Sequence, residues 1–445
     1  MPVDLVRDAA IDVLLRVYER GVHLDVSLDK TLRRKPISDR GRRFMTQLVY
    51  GTVRHTQLAD YILAKLCTQP LQDLPLPILV VLRMAVFQSL FCHTVTPPAM
   101  VHTSVDLAKK RGHAGLARLT NAVLRKVPTS LDQVVLPDPV KERVHYLAVR
   151  YSLPLWLVER WDAEWGSEQT ALLCAQTDGQ APVTVRANTT KVSAEQLIDL
   201  FLKSGITAGK TTDIPEEVTL VDEGAPHKTK WFQQGYFIVQ DPASLLPVHL
   251  LEPQAGDRVL DLCAAPGGKT THLLQRAPEA MVVAADLGLR RLWGIRENAE
   301  RLELPAPRLV CEDGRQPGLP GGYFDRVLVD APCSGMGTLR RHPELKYRIT
   351  AETIDRMAVL QLELLRSAIG LCKNGGRVVY SVCTFTPQET EAVVHAVLAE
   401  GGVELEDGPE LLSSWKIAPG QYRTMHNSPA LDGFFLTRFR KLSSV

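Results

Sequence analysis

The chain contains no run of about 18 apolar residues, so a membrane-spanning helix is not expected. Its start, Met1-Pro2-Val3-Asp4, has no basic stretch leading into an apolar one, which argues against a secretory leader. The eight cysteines are scattered, and no two stand in a C-x-x-C spacing. That argues against both a disulfide framework and a zinc site, and no metal is expected. Reduced thiols and a cytoplasmic location follow as expectations. The chain also lacks G-x-G-x-x-G and G-x-x-x-x-G-K-[ST], the turns that cradle a pyrophosphate. Internal repeats and low-complexity segments are absent too.

What is present is enough for a large protein of several parts. At 445 residues and 45% apolar composition the chain can form two to four domains. The net charge of only +2 hides an asymmetry. Residues 1–150 carry 22 lysines and arginines against 13 acids, and the remainder is acidic. A basic N-terminal part on an acidic body suggests a polyanionic partner. Residues 1–140 read as mostly helical. Apolar spacing marks helices at 9–18, 44–50, 79–87 and 119–126, with basic turns at Asp39–Arg43 and Lys109–His113. Pro137-Asp138-Pro139 marks a boundary. Residues 141–235 read as a small α+β segment. It has a strand at 183–188 and a helix opened by a Ser193/Gln196 capping box and closed by Gly205. From 236 to 445 strands and helices alternate, which predicts a Rossmann-like, mostly parallel doubly wound sheet. The overall class is α/β with an all-α domain in front.

Two short motifs in this last part hold cysteines. Cys333 lies in Asp330-Ala331-Pro332-Cys333-Ser334-Gly335, after the apolar run 324–329. Cys383 lies in Tyr380-Ser381-Val382-Cys383-Thr384-Phe385, after 377–380. Strand carboxyl ends line the ligand crevice of an open α/β sheet, so both thiols are expected there. Upstream, Leu260-Asp261-Leu262-Cys263-Ala264-Ala265-Pro266-Gly267-Gly268-Lys269-Thr270 reads as strand, turn and helix. Its glycines permit close backbone approach, which suits a nucleoside-type ligand. Asp286 ends the next strand, where a carboxylate can accept both ribose hydroxyls. Asp313 follows the third strand and can reach the adenine end. As plain structural residues, both acids would cap helices. Cys67, Cys92, Cys174, Cys311 and Cys372 read as core or incidental. From the residues alone either Cys333 or Cys383 can be a nucleophile.

The set D-x-C-A-A-P-G-G-K-T, D-A-P-C-S-G and Y-S-x-C-T resembles the signature of RNA (cytosine-5)-methyltransferases. With the basic helical N-terminus, the chain is similar to the Fmu/Sun-type (B-type) 16S rRNA enzymes, which carry a NusB-like RNA-binding domain. Gln240-Asp241-Pro242-Ala243-Ser244, Arg340-Arg341-His342-Pro343-Glu344-Leu345-Lys346 and Asp432-Gly433-Phe434-Phe435 resemble three further family elements in the same order. Val382 and Thr390 depart from the usual Thr and Asn. The resemblance implies S-adenosyl-L-methionine as cofactor, contacted by Cys263, Ala264, Ala265, Pro266, Gly267, Gly268, Lys269, Asp286, Asp313 and Asp330. It implies Cys383 as nucleophile on carbon 6 of cytosine, Cys333 as the residue assisting release, and Asp330 as the group polarising the base. The implied partner is 16S rRNA, free or incompletely assembled, with cytosine 967 as target. A monomer with no membrane partner is expected. The target base must be unpaired or flipped out of its stack. Arg340, Arg341 and Lys346 would bind phosphates, with Arg186 and Asn188 as further RNA contacts. Two other classes compete. A non-catalytic RNA-binding assembly factor would bind RNA but no S-adenosylmethionine. An adenine N6-methyltransferase would need an aromatic residue after its D/N-P-P element, where this chain has Cys333.

Overall fold

The computed structural model describes residues 4–221, 226–425 and 431–443. The first three residues of the segment read above for a leader lie outside these. The chain forms two compact units, Met1–Gly179 with Leu339–Arg348, and Gln180–Thr338 with Ile349–Val445.

The first unit is helical. Leu76–Phe91 is apolar on every side and is its buried centre, against which Leu5–Arg20, Asp39–Arg54 and Pro97–Arg111 pack. A helix apolar all round belongs inside a bundle rather than on its surface. Two expected basic turns are helical instead. Asp39–Arg43 opens the helix Asp39–Arg54, capped by the Ser38 hydroxyl, and Lys109–Arg111 ends the helix Pro97–Arg111. Cations in a last turn favour the helix dipole, which a reading of charge alone as loop overlooks. The boundary expected at 140 lies inside the first compact unit, which runs on to Gly179. Arg143–Arg150 and Leu155–Asp178 join the helical unit, where the Ser152 hydroxyl accepts from the backbone of Gln57 and Leu58 and Arg150 pairs with Asp178.

The second unit holds two sheets. Strands β1 (Val183–Ala187), β2 (Ala208–Gly209), β3 (Glu217–Leu220) and β4 (Phe237–Val239) form an antiparallel sheet in the order β2-β3-β1-β4. The helix Ala194–Leu202 packs on it and opens with the expected Ser193/Gln196 capping box. The larger sheet contains β5 (Arg258–Asp261), β6 (Met281–Asp286), β7 (Arg308–Cys311), β8 (Phe324–Asp330) and β9 (Cys372–Val382), all parallel, in the order β7-β6-β5-β8-β9. An antiparallel edge follows, made by β10 (Val403–Leu405), β11 (Lys416–Ala418), β12 (Gln421–Arg423) and β13 (Phe435–Lys441), with β13 against β9. Strand order reverses direction between β5 and β8. Crevices at such a switch point, beyond the strand carboxyl ends, are where ligands sit in this architecture.

Candidate active site

Three loops meet at that switch point. After β5 the chain makes a turn through Ala264 to Gly267, with a cis Ala265–Pro266 bond, and enters the helix Gly268–Arg276. Gly267 has φ of 99°, and a Cβ there would stand 2.8 Å from the Ile295 side chain, so only glycine fits. At the end of β6, one oxygen of Asp286 accepts from Ala265 N (3.1 Å). The other accepts from Gly288 N (2.8 Å) and Arg291 (2.7 Å). Leu287 beside it is 69% exposed. An apolar side chain left open next to a fixed carboxylate and a backbone-lined turn suits the ribose and base of a nucleoside cofactor. Asp313 is half-buried and held by Arg315 at 2.6 Å, which pushes its carboxyl down to about 2. Burial pushes the Cys263 thiol up, so that sulfur is inert.

Asp330 ends β8. Its carboxylate is shared between Lys269 Nζ (2.5 Å) and the Ser381 hydroxyl (2.7 Å), so it joins the cofactor turn to the end of β9. Beneath it, Asp261 is fully buried, with one oxygen taken by the Thr270 hydroxyl (2.7 Å) and the other without a partner. Burial pushes Asp261 up to about 7, against the Thr270 hydrogen bond and with the Asp330 charge adding to it.

The two motif cysteines meet. Cys333 Sγ and Cys383 Sγ are 3.1 Å apart, both half-buried and both free thiols. The contact with Cys383, then burial, push the Cys333 thiol well above its ordinary range. Either thiol can donate to the other across this contact. The DGFF segment packs closely on the loop that follows Cys333. Gly433 N donates to Gly337 O (2.9 Å), and a Cβ on Gly337 would fall 1.8 Å from Gly433 O. The departures Val382 and Thr390 are both buried, Val382 in the core and Thr390 bonded to Thr386 O (2.7 Å).

Three residues expected to touch RNA are structural. Arg186, on β1, is fully buried and donates to Gln240 (2.5 Å), Gly268 O (2.6 Å), Thr271 (2.9 Å) and Gln275 (3.2 Å). It thus anchors the helix that follows the cofactor turn. Asn188 is buried and donates to the carbonyls of Gly235 and Leu302. Lys346 is fully buried in the helical unit, with its ammonium on Tyr151 O (3.1 Å), and burial pushes it down to about 7. A side chain with no exposed surface is out of reach of a phosphate. Arg340 and Arg341 are partly buried, and the Arg340 carbonyl accepts from Arg54 (2.7 Å).

Sequence reasoning missed a buried polar trio, Glu216, His249 and His272, whose ligand atoms lie within 4.8 Å of one another. Glu216 Oε1 is 2.8 Å from His249 Nε2 and 2.6 Å from His272 Nε2. Donor atoms sharing one tetrahedral zinc stand roughly 3.3 Å apart, whereas these separations are hydrogen-bond lengths. Burial pushes His272 down to about 3, and the Arg186 guanidinium acts on it in the same direction. The trio is a buried cluster of two imidazoles around one carboxylate at these short spacings. Sequence reasoning also missed Glu389, Gln361, Ser334 and Thr384, which surround the cysteine loops. Their one signal was an acid with two threonines on a short turn, T-x-T-x-x-E.

A family model described as 16S rRNA methyltransferase RsmB/F matches residues 248–440. The NusB family matches 5–128, and an RsmF/B-like ferredoxin-like domain matches 153–225. The Bacillus subtilis (strain 168) protein named probable ribosomal RNA small subunit methyltransferase B is 32% identical over 444 residues, covering 98% of each chain. The chain belongs to the RsmB/F family of 16S rRNA methyltransferases. In this family member the helical unit begins with the NusB-like domain, and the larger sheet is the Rossmann-like methyltransferase domain. Its fold is also that of the crystal structure of PH0851, with a TM-score of 0.81, 24% identity, and 99% of this chain and 100% of that one covered. NSun6 from Pyrococcus horikoshii, solved with SFG, has a TM-score of 0.58 at 23% identity, with 65% of this chain and 99% of that one covered.

Proposed function

We propose that this rRNA methyltransferase moves a methyl group from S-adenosyl-L-methionine to carbon 5 of a cytosine in 16S rRNA through a covalent adduct of Cys383 with carbon 6. The observation that carries the reading is the 3.1 Å thiol pair standing at the end of β8 and β9, beside Asp330 and the cofactor turn. S-adenosylmethionine supplies an electrophilic methyl, which cytosine carbon 5 is too weak a nucleophile to take unaided. A thiolate added at carbon 6 converts the ring to an enamine whose carbon 5 can react. A cysteine thiol with a pKa of about 8.5 is only a few per cent ionised at pH 7, so it needs help. Cys333 gives that help: as the protonated partner it donates a hydrogen bond to a Cys383 thiolate. Asp330, fixed by Lys269 and Ser381, accepts from the exocyclic amine and polarises the ring. Once Cys383 is bonded to carbon, Cys333 no longer faces a thiolate and can release its proton to solvent. Its sulfur then takes the carbon-5 proton while the bond from carbon 6 to Cys383 breaks, which frees the product.

Residues 264–269 and Asp286 hold the methyl donor in this reading, with Asp313 at the adenine end. Arg340 and Arg341 approach the RNA backbone. The substrate is free or incompletely assembled 16S rRNA, where the target, cytosine 967 by resemblance, is accessible. Among the described residues no helix is long and apolar enough to cross a membrane. A cytoplasmic monomer is the form we propose. The test is to incubate the protein with methyl-labelled S-adenosylmethionine and protein-free small-subunit rRNA. Label in 5-methylcytosine is expected; label in another nucleoside, or none, would overturn the reading.

A further inference from the structure

Glu389 is fully buried, and no lysine or arginine among the described residues pairs with it. A buried carboxylate costs several kcal/mol unless hydrogen bonds replace its water. Its two oxygens divide their partners between the two cysteine loops. Oε1 accepts from Ser334 N (2.8 Å), next to Cys333, and from Gln361 Nε2 (3.0 Å), which also holds Pro332 O (2.9 Å) on the other side of Cys333. Oε2 accepts from the hydroxyls of Thr386 (2.8 Å) and Thr384 (3.4 Å), next to Cys383. The hydroxyls of Ser334 and Thr384 close the ring at 2.9 Å. Tyr380 OH fixes the clamp from below, donating to Glu389 O (2.6 Å) and Gln361 Oε1 (3.1 Å).

We infer that Glu389 is a positioning residue which sets the separation of the two active-site sulfurs by tying the loop after β8 to the loop after β9. The inference rests on the reading of Cys333 and Cys383 as a working pair, but not on which of them attacks. A carboxylate suits this place better than a neutral group. It accepts only, so four donors, three from the two loops and one from Gln361 on the helix Ala351–Leu371, converge on it without competition. Its charge also adds to the forces that keep Cys333 protonated, after the contact with Cys383 and burial.

The test uses the full chain and a ruler independent of methylation. Diamide, an azo oxidant, takes two electrons and two protons from a pair of thiols and joins their sulfurs, at a rate set by how often they meet. Peptide mass mapping follows the linkage of Cys333 to Cys383 in wild type, Glu389→Gln and Glu389→Leu. The amide keeps one acceptor, and the threonine hydroxyls can turn to accept from its nitrogen. Glu389→Leu leaves Ser334 N and the Thr386 hydroxyl unpaired. Linkage in Glu389→Leu is expected to slow about tenfold, and kcat to fall about 100-fold, as a displacement near 1 Å does. The KM for S-adenosylmethionine is expected to stay within about twofold, since the cofactor turn makes none of these bonds. Glu389→Gln is expected to recover most of both losses. If Glu389→Leu does not fold, Thr386→Val, which cuts only the Oε2 arm, takes its place with the same expected direction. A lower melting temperature with an unchanged linkage rate and kcat would overturn the inference and leave Glu389 merely stabilising. Slowed linkage in an enzyme whose adduct forms on Cys333 would uphold the clamp and overturn the assignment of the nucleophile.

Discussion

Replacing Asp261 by asparagine should remove a pH dependence of stability that the buried carboxyl imposes. In the folded protein burial, opposed by the Thr270 hydroxyl, moves Asp261 from 3.8 to about 7. Its side chain is fully buried, so solvent does not weaken the effect. The sign follows from proton binding. Below about pH 4 the carboxyl is protonated in both states and carries no penalty. Between about 4 and 7 the unfolded chain loses the proton while the fold retains it, so stability falls as pH rises. At about 1.4 kcal/mol per unit, the full loss above pH 7 is about 4 kcal/mol. Asparagine does not titrate. Its carbonyl still accepts from Thr270, and its amide nitrogen lacks an acceptor, which costs about 1–3 kcal/mol at every pH. That constant cost cancels when the difference between variant and wild type is followed against pH. From pH 5.5 to 8 the difference should move in favour of Asp261→Asn by about 2 kcal/mol, or several degrees of melting temperature. Thermal denaturation of both proteins in matched buffers measures it. Parallel curves would refute a carboxyl held protonated by burial.

Three further outcomes follow from the burial of charge and the cofactor turn. Lys346→Met should stabilise the protein, because the ammonium is moved from 10.5 to about 7 and wild type loses stability as pH falls through that interval; the gain should be largest at and below pH 7, up to about 4 kcal/mol after loss of one hydrogen bond. RNA affinity and its salt slope should not change, and a weakened slope in binding titrations would restore Lys346 as a phosphate contact. Arg186→Leu should destabilise by about 3–5 kcal/mol in denaturant titration, because the carboxylate of Glu216 loses a buried cation and four acceptors lose their donor. Asp286→Ala should weaken S-adenosylhomocysteine about tenfold or more by calorimetry, with RNA binding unaltered.

The doubly wound sheet was legible because buried parallel strands are short apolar runs, and each carries its chemistry at its carboxyl end. That placed Asp286, Asp330, Cys333 and Cys383 at one edge, where the structure has them. The helical N-terminus was legible from apolar spacing, but the extent of its compact unit was not. Proline and aspartate at 137–139 mark a turn in sequence, whereas whether the next two helices join the bundle depends on packing that has no local signature. Basic residues misled twice. Arg186 and Lys346 carry the same charge as an RNA contact, and only tertiary structure shows a cation sunk among carbonyls and amides. Glu389 was passed over for the converse reason. Six positions beyond Cys383 it reads as a helix-start acid, and two of its four donors, on Ser334 and Gln361, come from segments far from it in the chain.

The cysteine roles admit one decisive measurement. Cys333→Ala and Cys383→Ala proteins are each incubated with S-adenosylmethionine and radiolabelled small-subunit rRNA, then run on a denaturing gel. Cys333→Ala should accumulate a covalent protein–RNA band because the adduct forms and its release is impaired. Cys383→Ala should show no band and no turnover. A covalent band that survives loss of Cys383 and disappears with loss of Cys333 would contradict the assignment and make Cys333 the nucleophile.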